Sequence, residues 1–401
     1  MRIDAHIHYL PPSVAEHLSA FAEAEPYWGL LLTGNPPARS LQGWAAPERM
    51  IDDMDRAGLD RVLIQSEYRM THEACVARNN QALELVRRWP DRVSAFACLQ
   101  PKAGAPALDE LQRCLDGGLQ GVGELNPYGQ AHTLEDPDFL RMVEACIRHN
   151  IPLNLHVSEE IGHFYLGKTP TPLMHYYQLA CRYPELKLVL AHWGGGLFFY
   201  EAMPEVRRAL RNVWYDTAAS PLLFPTERIF SLALQCVDHT KLLYGSDYPL
   251  LLYPRRQAEP DFRPFLYEID CLQLESEVYA DLMGNNAARL LGLMESRPAE
   301  PAPTAKRRYS LIVTDVSDCT DITLFMAISA VAAKWPATQA IFDKHGLPWH
   351  DSPVAFWEPI AQSAAARGWT PSQQQRLLAE LKAAIASDSA APLHPKPDPG
   401  A

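Results

Sequence analysis

Short apolar segments alternate with longer amphipathic segments up to about residue 294. The apolar segments are almost continuously hydrophobic, which is typical of parallel strands that are covered by helices. We predict eight strands, at residues 2–8, 61–66, 92–99, 121–125, 152–157, 187–192, 213–217 and 241–245. Helical periodicity follows between them, for example over residues 48–57, 72–89 and 138–148. This alternation predicts an α/β fold, a (β/α)8 TIM barrel, with a doubly wound open sheet as the structural alternative.

The pattern changes after the predicted barrel, which we assign to residues 1–296. Residues 297–308 are rich in proline, alanine and charge and predict a linker. Helical patterns return over residues 309–386, where the sequence Thr370-Pro371-Ser372 is typical of a helix N-terminus. We therefore predict a small, mainly helical second domain, with a role in protein contacts as a hypothesis. Residues 387–401 have the composition of a disordered tail.

Composition and charge narrow the class of protein. The 401 residues are 47% hydrophobic and carry a formal net charge of −12, which argues against nucleic acid and anionic membranes as partners. The eight cysteines are scattered without a CxxC pair, as expected for buried thiols in a reducing compartment. No apolar run approaches the roughly 18 residues of a membrane span, and the N-terminus does not resemble a signal peptide. We expect a soluble, cytoplasmic protein with a small-molecule substrate; homo-oligomerisation stays open.

Polar residues that can bind metal end several of the predicted strands. His6 and His8 end the first strand, and their side chains share one face because strand side chains repeat every two residues. Such a pair could also be two polar residues at a strand terminus. Further candidates end later strands, namely Glu124, His156, His192 and Asp247. In a barrel all of them would project from the C-terminal mouth, where that fold places catalysis. Imidazole and carboxylate ligands together suit zinc, manganese, iron or nickel.

The ordered set HIH, GVGEL, LHVSE, AHWGGG and GSDYP resembles the amidohydrolase superfamily. It resembles in particular amidohydrolase-related family 2, a branch of barrel-fold metal-dependent hydrolases. That branch includes decarboxylases similar to aminocarboxymuconate semialdehyde decarboxylase. The resemblance extends from residue 1 to about residue 294 and includes the closing segment GNNAARLLGL. The motifs are specific for the superfamily and not for one reaction.

The resemblance implies roles for the strand-end residues. His6, His8 and His156 would ligate a divalent cation, with Asp247 as both ligand and proton shuttle. His192 would polarise the substrate or stabilise developing charge. Glu124 would bind a second cation, lie outside the first layer of ligands or bind substrate. We expect zinc first, with manganese, iron or nickel as alternatives, and one cation rather than two.

Three functions compete on this evidence. The first is a metal-dependent hydrolase in which a cation-activated water attacks an amide, ester, lactone or carbon–carbon bond, with Asp247 as general base and then general acid. The second is a metal-dependent non-oxidative decarboxylase of a small carboxylated substrate, either aromatic or muconate-like. The third is a non-catalytic barrel with a binding or regulatory role.

Residues near the predicted mouth are candidates for binding substrate. Ser158, Glu159 and His163 follow the fifth strand, and Trp193 follows the sixth. Arg255, with Arg256, could clamp an anion or simply be solvated. Trp193, Tyr128 and Tyr9 could form an aromatic wall or pack at the mouth. Asp216, at the end of the seventh strand, could orient a ligating histidine.

Overall fold

The computed structural model describes residues 1–34, 40–295, 316, 319–350, 352 and 355–389. The chain divides into two compact units, Met1–Arg297 and Pro298–Ala401. The predicted linker at residues 297–308 lies outside the described residues, as do residues 390–401 of the predicted tail.

In the described part of the first unit, eight short strands occupy the positions predicted from the apolar segments. They are β1 (Ile3–Ile7), β2 (Arg61–Ile64), β3 (Val93–Ala95), β4 (Val122–Leu125), β5 (Pro152–Leu155), β6 (Lys187–Leu190), β7 (Val213–Asp216) and β8 (Leu242–Leu243). All pairings are parallel, in two sheets with the orders β1-β2-β3 and β4-β5-β6-β7-β8. The α/β class with parallel sheets is thus confirmed.

Hydrogen bonds also join the edges of the two sheets. Ala97, just beyond β3, bridges to Val122 of β4. At the other edge, the Ala5 N–H donates to the Tyr244 carbonyl at 2.8 Å, and the Asp247 N–H donates to the His6 carbonyl at 2.8 Å. These contacts bring the end of β8 against β1.

All eight strands are shorter than predicted, and the third and the eighth are shortened most. The third strand is confined to Val93–Ala95, because beyond it Ala97 contributes only an isolated bridge. The eighth strand ends at Leu243, because the Tyr244 N–H donates to the Leu282 carbonyl at 3.0 Å instead of continuing the ladder. Apolar composition does not distinguish these irregular stretches from paired ones.

Helices separate the strands. The three helical patterns noted in the sequence correspond to Pro47–Ala57, His72–Arg88 and Pro137–Arg148. Three further helices directly follow β1 and were not predicted: Pro12–Glu16, Leu18–Ala24 and Pro26–Thr33. The remaining α-helices in the described part of the first unit are Ala105–Asp116, Leu173–Arg182, the four-residue Ala191–Gly194, Pro204–Ala209, Ser220–Leu223, Thr226–Cys236, Arg263–Asp270, Ser276–Ala280 and Asn286–Leu290. Short 3₁₀ turns lie at Pro101–Ala103, Leu197–Ala202 and His239–Lys241, and a π-turn at Asp281–Asn285.

The hydrophobic core of the first unit is built around the strands. Each strand contributes fully or almost fully buried aliphatic residues, and one large cluster contains Ile7, Val62, Val122 and Leu188 among many others. Among the described residues, none of the helices has the length and apolarity that crossing a membrane requires. Five cysteines are buried, at positions 75, 98, 114, 146 and 236, and none forms a disulfide within the described part.

The second unit is helical in its described residues, with α-helices at Ile328–Lys334, Gln339–Lys344, Ile360–Ala366 and Pro371–Ser389. Phe342, Leu347 and Leu381 are among its buried core residues. The last helix begins where the sequence predicts. The Thr370 N–H donates to Gln373 Oε1 at 2.7 Å, and the Gln373 N–H donates to Thr370 Oγ1 at 3.4 Å, which is a capping box.

Candidate metal centre

His6 and His8, the pair at the end of β1, face one another through their Nε2 atoms, which are 3.3 Å apart. His6 Nδ1–H donates to Asp216 Oδ2 at 2.8 Å, and His8 Nδ1–H donates to the Gln65 carbonyl at 2.9 Å. Because these acceptors take the Nδ1 proton, each neutral ring has its lone pair on Nε2. Two lone pairs at this distance repel each other unless a positive charge lies against both.

Asp247 supplies an anionic oxygen to the same place. Its Oδ1 lies 3.3 Å from His8 Nε2. Ligand atoms of His6, His8 and Asp247 all lie within 4.8 Å of one another. Two imidazole lone pairs and a carboxylate form a donor set that fits a divalent transition metal.

Glu124 lies at the centre of the imidazoles. Its Oε2 is 3.8 Å from His6 Nε2 and 3.6 Å from His8 Nε2. Its Oε1 accepts from His156 Nδ1 at 2.9 Å and lies 3.3 Å from His192 Nε2. Burial opposes ionisation, but the charges and hydrogen bonds of the histidines outweigh it and hold the pKa of Glu124 well below its ordinary value. His6, Glu124 and His192 form a second group with ligand atoms within 4.8 Å of one another.

Backbone geometry after β6 and β8 presents two of these side chains. His192 follows β6 in the left-handed region with φ 56°, and its Nδ1–H donates to the Ala218 carbonyl at 3.0 Å. Asp247 also has a positive φ, 69°. Gly245 allows β8 to approach β1, because a Cβ at this position would lie 2.6 Å from the His6 Cβ. The sequence GSD thus combines the close approach of two strands at Gly245 with a candidate ligand, Asp247, two residues later.

The two basic imidazoles show how strongly this place attracts positive charge. Burial lowers the pKa of His6, but Asp216 and Glu124 outweigh it and raise the value to about 9. Burial likewise opposes protonation of His192, but Glu124, Asp247 and Asp216 raise its pKa to about 10. A divalent cation would balance the negative charge of the same carboxylates.

His156, predicted as a ligand, lies beside both groups. Its Nδ1 is 3.2 Å from His192 Nε2 in addition to its contact with Glu124, and its Nε2 is 3.3 Å from Ser158 Oγ. To ligate a cation, His156 must exchange one of these contacts for it.

The residues predicted to bind substrate lie in different environments in the structure. Ser158 contacts His156, whereas Glu159 binds Lys168 Nζ at 2.9 Å and the Tyr165 hydroxyl at 2.7 Å. Trp193 is only 1% exposed and donates from Nε1 to Ser220 Oγ at 2.8 Å, so it packs inside the fold. The side chains of His163 and Arg255 are exposed. Tyr9 is buried, and its N–H donates to Glu67 Oε1 at 2.7 Å.

Sequence reasoning missed residues that the fold places beside His8. Trp28, from the helices after β1, has its ring centroid 6.0 Å from that of His8. Glu67, after β2, lies 3.9 Å from His8 Nδ1 and pairs with the buried Arg78. No motif marks Trp28 or Arg78, although QSEYR, at the end of the second predicted strand, contains Glu67 and also Arg69, whose Nη2 lies 3.7 Å from Glu67 Oε2.

Comparison with known proteins shows the family and the fold. The amidohydrolase family model matches residues 3–293. Similar solved structures include 5-carboxyvanillate decarboxylase from Sphingomonas paucimobilis, with 17% identity, 73% of this chain and 98% of that chain covered, and a TM-score of 0.58. Dihydroxybenzoic acid decarboxylase from Polaromonas sp. JS666, with bound manganese and 2-nitroresorcinol, has 17% identity, coverages of 73% and 97%, and a TM-score of 0.54. 2,6-Dihydroxybenzoate decarboxylase from Rhizobium has 17% identity, with 73% of this chain and 98% of that chain covered, and a TM-score of 0.54.

These structural likenesses establish a shared fold. The family match covers the strands and every residue of the candidate centre, from His6 to Asp247. The resemblance seen in the strand-end motifs is thereby confirmed, and the chain belongs to the amidohydrolase family of enzymes.

Proposed function

We propose that this protein is a metal-dependent non-oxidative decarboxylase of a small carboxylated substrate, with its site at the mouth of a closed (β/α)8 barrel. Closure is supported by the hydrogen bonds that join both pairs of sheet edges. In a barrel the C-terminal strand ends meet at one mouth, which is where His6, Glu124 and Asp247 would converge.

The observation that carries the proposal is the pair of facing Nε2 lone pairs of His6 and His8, with Asp247 beside them. We infer that they bind one divalent cation rather than two. The second possible group also needs His6 Nε2, because His6 Nδ1 is bound to Asp216, and one lone pair serves one cation. His156 is the further proposed ligand. Manganese, one of the alternatives to zinc from the sequence, is bound in the similar Polaromonas enzyme, which supports it as a candidate here.

The residues around the cation suit the release of carbon dioxide. A bound divalent cation would hold the substrate carboxylate and stabilise the negative charge left when the carbon–carbon bond breaks. The carbon that loses carbon dioxide must then receive one proton. His192 is placed to supply it, because Ala218 fixes its Nδ1 proton and Glu124, 3.3 Å from Nε2, stabilises the protonated ring. Asp247 is the second candidate donor.

Hydrolysis stood first on the sequence alone, and the decarboxylase stood second. The similar structures named above are decarboxylases of 5-carboxyvanillate and dihydroxybenzoate, which supports carbon dioxide release. We therefore place the decarboxylase first.

The test is metal analysis followed by a substrate panel. Purified protein should contain about one equivalent of a transition metal, and His6→Ala with His8→Ala should abolish it. The matched control is His17→Ala with His149→Ala, two exposed histidines, which should retain the metal. His156→Ala shows whether this ring is a ligand. Manganese- and zinc-loaded enzyme is then incubated with carboxylated phenols and with esters, lactones and amides.

Carbon dioxide release that requires His192 and Asp247 supports the proposal. Turnover of an ester, lactone or amide without carbon dioxide release would show that the decarboxylase assignment is wrong. Equal metal content in the double variant and the wild type would show that His6 and His8 do not bind the metal.

A further inference from the structure

Three side chains that can bind metal meet at the start of β8, at the opposite end of that strand from Asp247. His239 lies in the 3₁₀ turn directly before β8, Glu277 lies in the helix before the π-turn, and Asp281 is the first residue of that π-turn. One ring nitrogen of His239 and one oxygen of each carboxylate all lie within 4.8 Å of one another. We call these three residues the base site. It shares no residue with the candidate metal centre.

Two segments that are far apart in the chain hold the base site together. Glu277 and Asp281 are four residues apart, and side chains at this spacing are neighbours on a helix surface. The backbone is still right-handed helical at Asp281, with φ −66° and ψ −50°. His239 approaches from the turn before β8, which Asn286 fixes because its Nδ2 donates to the His239 carbonyl at 2.7 Å. The fold thus places one imidazole against two carboxylates.

Asp281 directs one oxygen toward the imidazole. Its side chain is 1% exposed, and its Oδ1 accepts from Arg289 Nη2 at 3.0 Å. Its Oδ2 lies 3.1 Å from His239 Nδ1. A partner that holds one oxygen of a carboxylate fixes the direction of the other, as the outer hydrogen bonds of metal-binding carboxylates do. Arg289 therefore orients Oδ2 toward the base site.

The geometry between His239 and Asp281 is not that of a hydrogen bond. His239 Nδ1 is buried and makes no hydrogen bond to any residue that the structure describes, although Asp281 Oδ2 is close. At 3.1 Å only an unfavourable angle prevents a hydrogen bond, so the oxygen lies beside the direction in which the ring nitrogen points. Two ligands of one tetrahedral zinc ion, with bond lengths of about 2.1 Å, are roughly 3.4 Å apart and have this offset. The pair is thus arranged like neighbouring ligands of one cation.

We propose that the base site binds a divalent transition metal ion, separately from the candidate metal centre. One imidazole and two carboxylates suit such an ion, and a water molecule would complete a tetrahedral set of ligands. Glu277 and Asp281 contribute two negative charges, of which Arg289 balances one, so the site attracts a cation. This inference goes beyond the proposed function and does not depend on it.

The bound ion would stabilise the contact between the π-turn and the strands. The Leu282 carbonyl in this turn accepts from the Tyr244 N–H, just after β8, at 3.0 Å. The same turn packs against the residue before β1, because a Cβ at Gly284 would lie 2.1 Å from the Met1 carbonyl oxygen. An ion that joins His239 to the π-turn therefore holds the segment against which β1 and β8 both pack.

The base site binds its ion more weakly than the candidate metal centre. Glu277 is exposed, so its side chain loses conformational freedom when it binds, and the base site has one imidazole whereas the centre has several. We therefore expect the purified protein to carry metal in the centre, and the base site to fill only when zinc is added in excess.

Equilibrium dialysis against increasing zinc, followed by metal analysis, tests the proposal. The wild type should bind two zinc ions per chain, the second more weakly than the first. Glu277→Gln keeps the size of an exposed side chain and removes its charge, and it should weaken the second ion at least about 10-fold, since losing even an outer partner of a metal site costs that much. His239→Ala should abolish the second ion. His149→Ala, at an exposed histidine, is the matched control and should bind both ions.

Hydrogen exchange locates the second ion. The Tyr244 amide, which donates to Leu282, should exchange more slowly when the second ion binds to the wild type, and this slowing should be absent from Glu277→Gln. The double variant His6→Ala with His8→Ala should retain the second ion, and its loss there would contradict two separate sites.

Binding of only one zinc ion per chain at every concentration would overturn the proposal. A second ion that binds equally to the wild type, Glu277→Gln and His239→Ala would also overturn it. Failure of the enzyme to release carbon dioxide would reject the decarboxylase and leave these results unchanged.

Discussion

At the scale of single residues, Asp216 joins the ring of His6 to the backbone of His192 in the candidate metal centre. Its Oδ2 accepts from His6 Nδ1, and its Oδ1 accepts from the N–H groups of His192 and Ala218. Burial alone would raise the pKa of Asp216, but His6 and His192 outweigh burial and lower it. The carboxylate therefore stays charged, and it makes His6 Nε2 more basic toward a proton or a cation.

We expect the free energy of unfolding of the metal-free protein to fall as the pH rises from about 6.5 through about 9. His6 has an ordinary pKa of 6.5 and a folded-state pKa of about 9. The folded protein holds this proton in the window where the unfolded chain has lost it, so the stabilisation is complete below pH 6.5 and is lost through pH 9. Urea unfolding in chelator at several pH values measures this dependence.

Asp216→Asn should make the free energy of unfolding less dependent on pH between about 6.5 and about 9, because it removes the charge that raises the pKa of His6. Asp52→Asn, at an exposed position, is the control and should leave this pH dependence unchanged. A pH profile that is the same in Asp216→Asn and in the wild type would contradict this account.

At the scale of elements, the candidate ligands lie at or just beyond the ends of the short strands. His192 and Asp247 follow β6 and β8 in left-handed conformations that place a side chain at a tight turn. Three helices inserted after β1, from Pro12 to Thr33, bring Trp28 to His8. Regular elements thus set the approximate positions, and irregular connections aim the side chains.

The capping box of the helix Pro371–Ser389 provides a prediction at this scale. Thr370→Ala leaves the Gln373 N–H without its side-chain acceptor, which should lower the free energy of unfolding of the second unit by about 1 kcal/mol. Gln375→Ala, at an exposed position of the same helix, should have a much smaller effect. Hydrogen exchange of the helix amides in the full chain measures both. Equal protection in the two variants would show that the cap contributes little.

At the scale of the whole molecule, the candidate ligands come from both sheets. His6 and His8 end β1 in the three-stranded sheet, whereas Glu124 and Asp247 lie at or beyond the ends of β4 and β8 in the five-stranded sheet. A cation bound to this set would connect strands that are far apart in the chain, so it would bind only the folded state.

Metal should therefore stabilise the first unit and leave the second unit unchanged. At a free metal concentration 100 times the Kd, the expected gain in the free energy of unfolding is about 2.7 kcal/mol. Hydrogen exchange of β1 and β4 against that of the helix Pro371–Ser389, with and without metal, separates the two units. The gain should vanish in His6→Ala with His8→Ala. Equal gains in both units would contradict a site confined to the first.

The sequence by itself determined the eight strands, the parallel α/β class and the polar residues that end the strands, because runs of buried apolar residues are local and their C-terminal ends align in parallel sheets. It could not determine which ring nitrogens face the centre. The acceptors that orient His8 and His192 are carbonyls 57 and 26 residues away, at Gln65 and Ala218. Only the tertiary structure paired His156 with Glu124 and brought Trp28 to His8, since these contacts depend on how the segments that follow the strands pack against one another.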